Sequence, residues 1–114
     1  MARESLEELI PAIAAWHQDR NLIDGSDDKN QVLKLIQEVG ELSDSICQGA
    51  SPIDDIGDII VILVNIAERN DLSLASCVAH AYNDIKDRKG RMVDGIFIKE
   101  SIPEPIPEPM RWNI

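Results

Sequence analysis

Glu38 and Glu41 stand three residues apart in the stretch QEVGELSD, and Asp55 and Asp58 repeat that spacing in DDIGDIIVILV. Residues three apart on a helix are neighbours, with β-carbons roughly 5–6 Å apart, so each pair projects to one side and can grip one small cation. Two such pairs on packed helices would gather four acids, and like charges at that range raise one another's pKa values unless a cation compensates them. Hard oxygen ligands suit Mg²⁺, with Mn²⁺ as an alternative. The blander reading is that these are solvated charges, or, for Asp54 and Asp55 just after Pro52, acids that favour the positive end of a helix dipole. That account serves Asp54. For two pairs, one inside an apolar segment where an unpaired charge is expensive, metal binding is the stronger reading.

The elements that must position these acids read as helices. Val32, Leu35, Ile36, Val39, Leu42 and Ile46 recur three or four apart over 28–48, an apolar stripe about 100° wide. Glu38, Glu41 and Lys34 fall within roughly 60° of one another and border that stripe, which places them at the edge of the core. Gly49 suits a C-terminal cap, and Ser51-Pro52 suits the cap and first position of a third helix running to about Asn70. Its IIVILV stretch would also fit a buried strand, but the cap and the length of the segment favour a helix. Upstream, Ser5 and Glu8 form a capping box for a first helix to about Arg20, with Pro11 predicting a kink or a start delayed to Ile10. NLIDGSDDKN then reads as a loop ending in an N-cap. Ser73 caps a fourth helix expected to end near Gly90, and Asp94-Gly95 between short apolar runs marks a two-residue hairpin turn. The tail SIPEPIPEPMRWNI reads as an extended Pro-rich arm over 101–114, following one domain over 1–100.

At 114 residues the chain is one domain whose apolar surface a partner copy would help to bury. A formal net charge of −10 opposes binding to nucleic acid polymers or an anionic membrane. Cys47 and Cys77 lie in no metal or redox motif and read as buried free thiols. The N-terminus lacks a signal-peptide pattern, and the longest apolar run, Ile59 to Val64, is far short of a membrane span, so a cytoplasmic protein is expected. No GxxxxGK[ST] loop supports a P-loop enzyme.

KLIQEVGELSDSI, DDIGDIIVILVNIA and YNDIKDRKGR together resemble the MazG-like group of all-α nucleoside triphosphate pyrophosphohydrolases, over about residues 30–91. That family's pattern is EExxE, a spacer, then ExxD. Here Gln37 stands at the first Glu, and Asp55 replaces the Glu of ExxD, one methylene shorter. The resemblance implies an all-α four-helix bundle, completed as a homodimer or homotetramer, with Mg²⁺ held by Glu38, Glu41, Asp55 and Asp58. It implies cleavage of (deoxy)nucleoside triphosphates between the α and β phosphates, with Glu38 or Glu41 taking the proton of the attacking water. The phosphates would meet Lys34, Asn83, Lys86, Arg88, Lys89 and Arg91, although a cationic helix end also favours the dipole without any ligand. Trp16 and His17 offer a stacking face and a polar edge for the base, against the plainer reading of Trp16 as core; His80 reads as structural.

Overall fold

The computed structural model describes residues 5–100, and the expected Pro-rich arm lies outside the described residues. Four helices, α1 (Leu6–Asp19), α2 (Asp28–Gln48), α3 (Ile53–Arg69) and α4 (Leu74–Ile85), precede a two-stranded hairpin of β1 (Gly90–Val93) and β2 (Ile96–Lys99). By contact the chain divides into two compact units, Met1–His80 and Ala81–Ile114. None of the described helices is long and apolar enough to cross a membrane.

Local chemistry sets most of the boundaries. Ser5 caps α1 by accepting the Glu8 amide at 3.3 Å. The helix then runs unbroken from Leu6 through Pro11, where a delayed start or a kink was expected. Asp27 caps α2 through the Asn30 amide at 2.8 Å, and Gly49 closes it at φ +71°, a left-handed conformation that disfavours any side chain. The apolar run after Pro52 is helix, so the strand alternative falls, and Ser51 accepts from the Ile53 amide at 3.4 Å. Ser73 accepts from the Ser76 amide at the start of α4.

In the first unit α3 packs against both α2 and α1. Ile62, Val64, Asn65 and Ala67 of α3, Ala14 and His17 of α1 and Glu38 of α2 are the buried residues among those described. The face of α2 that is buried or half-buried runs through Gln31, Leu35, Glu38, Leu42 and Ser45. That face is rotated by roughly 70° from the apolar stripe read in the sequence. Val32, Ile36, Val39 and Ile46 therefore remain exposed.

The second unit contains the end of α4 and the hairpin. The helix stops at Ile85 rather than near Gly90, because Ile85 accepts the Arg88 amide at 2.9 Å in a closing turn and Gly90 is committed to pairing with Lys99. Asp94 (φ 51°) and Gly95 (φ 80°) make the expected two-residue turn, both left-handed as a type I′ turn requires. A β-carbon on Gly90 would run into the Phe97 ring and the Ile98 carbonyl oxygen, so this strand start disfavours any side chain.

Candidate functional site

Glu38 is the centre of the candidate site, and it is not at the core's edge. It is 5 % exposed, in the middle of the α2 face that α3 covers. Lys34, one turn earlier and half exposed, holds Glu38 Oε1 at 3.3 Å. Glu38 Oε2 is buried with no hydrogen-bond donor. An unpaired carboxylate oxygen out of water is costly, so this atom marks an unmet demand for a proton or a cation.

Glu41 reports the same demand from the outside. Its carboxyl is raised above the ordinary 4.5, first by a hydrogen bond with the Glu38 carboxyl and then by repulsion from that group's charge. Loss of hydration and the charge of Asp55 on α3 raise it further, while Lys34 lowers it. Two acceptors can share a hydrogen bond only if one carries a proton. Both observations thus describe one excess of acceptors over donors, which a single proton or a divalent cation would relieve.

Asp55 is half-buried at the N-terminal end of α3. Asp58 is exposed and lines a groove between α1 and α3, together with Asp54, Leu9, Ile13 and Ile60. Glu38, Lys34 and Asp55 thus all act on the Glu41 carboxyl, and Asp58 lies on the α1 side of α3. Among the described residues no three His, Cys, Asp or Glu side chains converge as a ready metal cage.

The expected base-binding pair separates into two roles. Trp16 is 44 % exposed, and one face of its ring carries the Arg20 guanidinium at 4.4 Å. It borders a shallow apolar dish with Ala12, Ile13 and Val61. His17 offers no polar edge to a ligand: it is 4 % exposed, its Nε2–H donates to the Val61 carbonyl at 2.9 Å, and its Nδ1 accepts from Asn65 Nδ2 at 3.2 Å. His17 is therefore a structural residue.

Asn65 and Arg69 are the residues the sequence reading missed. Fully buried Asn65 also donates to the Leu22 carbonyl at 3.0 Å, and its Oδ1 accepts from Arg69 Nε at 3.0 Å. Arg69 spends its remaining donors on the carbonyls of Leu22, Ile23 and Ser26, at 2.8 to 3.1 Å. This network ties the α1–α2 loop to α3 and fixes where α2 begins. The signal was present: an amide in the middle of the most apolar segment must be hydrogen-bonded there.

In the second unit, Lys86, Arg88 and Lys89 lie beyond the helix rather than along it. Asn83, Arg88 and Lys89 line one cleft; Arg91 lines a smaller neighbouring one, and Lys86 lines neither. His80 is exposed, as are Cys47 and Cys77, which contradicts the structural role expected of the histidine and the burial expected of the thiols. The thiols lie on the open end of α2 and on α4, which buries no side chain.

No family model matches the chain, and no solved structure matches it significantly. A protein of Haemophilus phage HP1, described as an uncharacterized 18.2 kDa protein in the rep–hol intergenic region, is 36 % identical over 69 residues. The match covers 59 % of this chain and 42 % of the phage protein, so the chain spans less than half the length of that relative.

Proposed function

We propose that this chain is a Mg²⁺-dependent nucleoside triphosphate pyrophosphohydrolase, releasing monophosphate and pyrophosphate from (deoxy)nucleoside triphosphates, with removal of surplus or noncanonical nucleotides as its use. The supporting observation is buried Glu38, one oxygen without a donor, beside a Glu41 whose raised pKa registers the same crowding. The donor set is all carboxylate oxygen, as Mg²⁺ or Mn²⁺ prefers. Glu38, Glu41 and Asp55 would hold the ion; Asp58, on the α1–α3 groove, is kept as a fourth ligand by the MazG-like resemblance alone. Bound there, Mg²⁺ would supply charge neutralisation for the phosphates and acidify a water.

The chain's own residues account for the rest. Of the two glutamates, Glu41 is the exposed one, reachable by the attacking water, and is assigned the role of taking its proton. The water oxygen bonds to the α phosphorus as the P–O bond to the α–β bridging oxygen breaks, and that oxygen leaves with pyrophosphate. Lys34 is the cation nearest these acids, and Asn83, Lys86, Arg88, Lys89 and Arg91 are retained as phosphate contacts from the resemblance. Trp16 keeps its place as a stacking surface for the base. The exposed stripe Val32, Ile36, Val39 and Ile46 supports a homodimer or homotetramer that completes the core, and the Pro-rich arm would serve that assembly. The net charge of −10 opposes nucleic acid polymers and anionic membranes as partners, in keeping with cytoplasmic action on small substrates.

The test is product analysis on the eight common nucleoside triphosphates and dUTP, with Mg²⁺ and with EDTA. Metal-dependent release of monophosphate and pyrophosphate, lost in Glu41→Gln, is expected. Release of orthophosphate and nucleoside diphosphate would refute the cleavage position, and silence on every nucleotide would refute the enzymatic reading in favour of a noncatalytic binding protein.

A further inference from the structure

Leu6, Ile10 and Ile13 of α1 and Ile53, Ile60 and Val61 of α3 line an apolar groove in the first unit. Leu6 and Ile53 on its edges are 68 % and 75 % exposed, so the groove is open, and an open apolar strip of this kind marks a docking surface. It runs on into the dish beside Trp16, since Ile13 and Val61 border both. Gly57 lines the groove as well, and the chain's own packing does not call for a glycine there: a β-carbon would meet nothing within 4 Å among the described residues. A glycine inside a helix weakens it, so this bare place suits close approach by a backbone from outside. The groove also has two electrical ends. Asp54 and Asp58 edge it at the start of α3, and at the other end Arg20 lies across the Trp16 ring at 4.4 Å. Neither Asp54 nor Arg20 is in an ion pair among the described residues. From Leu6 to Trp16 the helical rise separates the ends by about 15 Å.

The sequence of residues 101–114, SIPEPIPEPMRWNI, has the matching chemistry. In the extended left-handed helix that Pro-rich chains favour, three residues per turn put Pro103, Ile106, Pro109 and Trp112 on one wholly apolar side. That conformation makes no internal hydrogen bonds, and segments of this type dock in apolar grooves with aromatic walls. The charges fall in a complementary order. Arg111 answers Asp54, while Glu108 and Glu104 precede it by about 9 and 22 Å at about 3.1 Å per residue, spans that bracket the distance to Arg20. Trp112, next to Arg111, then lies by Gly57, where the groove has room for it.

We propose that the α1–α3 groove receives residues 101–114 of a second copy of this chain, with Arg111 at Asp54 and Trp112 beside Gly57. The inference rests on the homo-oligomer proposed above and gives its Pro-rich arm a seat; the nucleotide chemistry does not enter it, so the two can fail separately. Exposed ion pairs are weak, so the apolar side of the arm supplies the affinity and the charges set its direction.

Trp16→Phe in the full chain leaves Trp112 as its sole tryptophan, and the fluorescence of this reporter tests the docking. The expected emission is blue-shifted, as for an indole out of water. Gly57→Leu fills the groove without a clash in the chain's own fold, and should move the reporter's emission to that of water-exposed tryptophan with helical circular dichroism unchanged. Adding an open-groove chain without tryptophan, Trp16→Phe with Trp112→Ala, to the groove-filled reporter should bring the blue emission back, because the arm can then enter the second copy. Arg111→Glu should expose Trp112, and Asp54→Lys should restore it. Red emission from the open-groove reporter, or emission indifferent to Gly57→Leu, would overturn the proposal and leave the groove to an apolar segment of a different protein. A mixture that fails to recover would overturn it in favour of an arm bound to its own chain. Nucleotide turnover with Trp112 in water would sink this inference alone, and docking without turnover of any nucleotide would spare it and sink the enzymatic reading.

Discussion

A carboxylate held inside a helix–helix seam with one oxygen unanswered destabilises the fold unless something else makes use of it. Glu38 is in that position, and Glu41 shares its burden. The sign of the resulting pH dependence follows from the direction of the shift. Glu41 binds its proton more tightly in the folded chain than at its ordinary 4.5, so its contribution to stability is complete below that pH and is lost as pH rises through the raised value. Thermal melts of the metal-free protein should therefore lose stability over that interval, and Glu41→Gln should flatten the slope. Saturating Mg²⁺ should flatten it too, since a cation answers the same demand as the proton. An unchanged slope in Glu41→Gln would show that the pair is not strained.

At the scale of elements, turn and cap chemistry was legible and the rotation of helices was not. Asp27, Gly49 and the Asp94-Gly95 turn act through their own backbones, so the sequence alone places them. Which side of α2 meets α3 depends on the packing of both helices, and α2 has two candidate faces. One is uniformly apolar; the other contains Glu38, and α3 covers the second. Spacing thus singles out Glu38 and Glu41 as neighbours, while the burial of Glu38 is set by how the two helices pack. His17 and Asn65 show the same limit, because a buried polar network across three segments leaves only an isolated polar residue in each. Strand closure is set locally again, and it yields a prediction. Gly90→Ala should abolish cross-strand contacts of the hairpin, seen as lost amide protection at residues 91–98, while the α2 and α3 amides keep theirs. Retained hairpin protection would mean that Phe97 can move aside.

At the scale of the whole molecule, few apolar side chains of the described residues are buried. Among the described residues the buried apolar set is Ala14, Ile62, Val64 and Ala67, while Val32, Ile36, Val39 and Ile46 stand open along a single helix. Such a stripe on a small domain is best satisfied by a second copy, which buries equivalent surfaces about a two-fold axis. Sedimentation equilibrium should find wild type as a dimer or tetramer and Ile36→Glu as a monomer. A monomeric wild type would assign the stripe to a different partner. The surplus of acid over base bears on the same scale: it opposes the approach of polyanions except where cations are gathered.

The proposed binding of a divalent cation by Glu38, Glu41 and Asp55 is tested most directly by Mn²⁺ binding followed by electron paramagnetic resonance. The free-ion signal should fall on adding wild-type protein, return on adding excess Mg²⁺, and stay undiminished with folded Glu38→Gln. Mn²⁺ that remains free beside the wild-type chain, or that binds Glu38→Gln equally well, would contradict it.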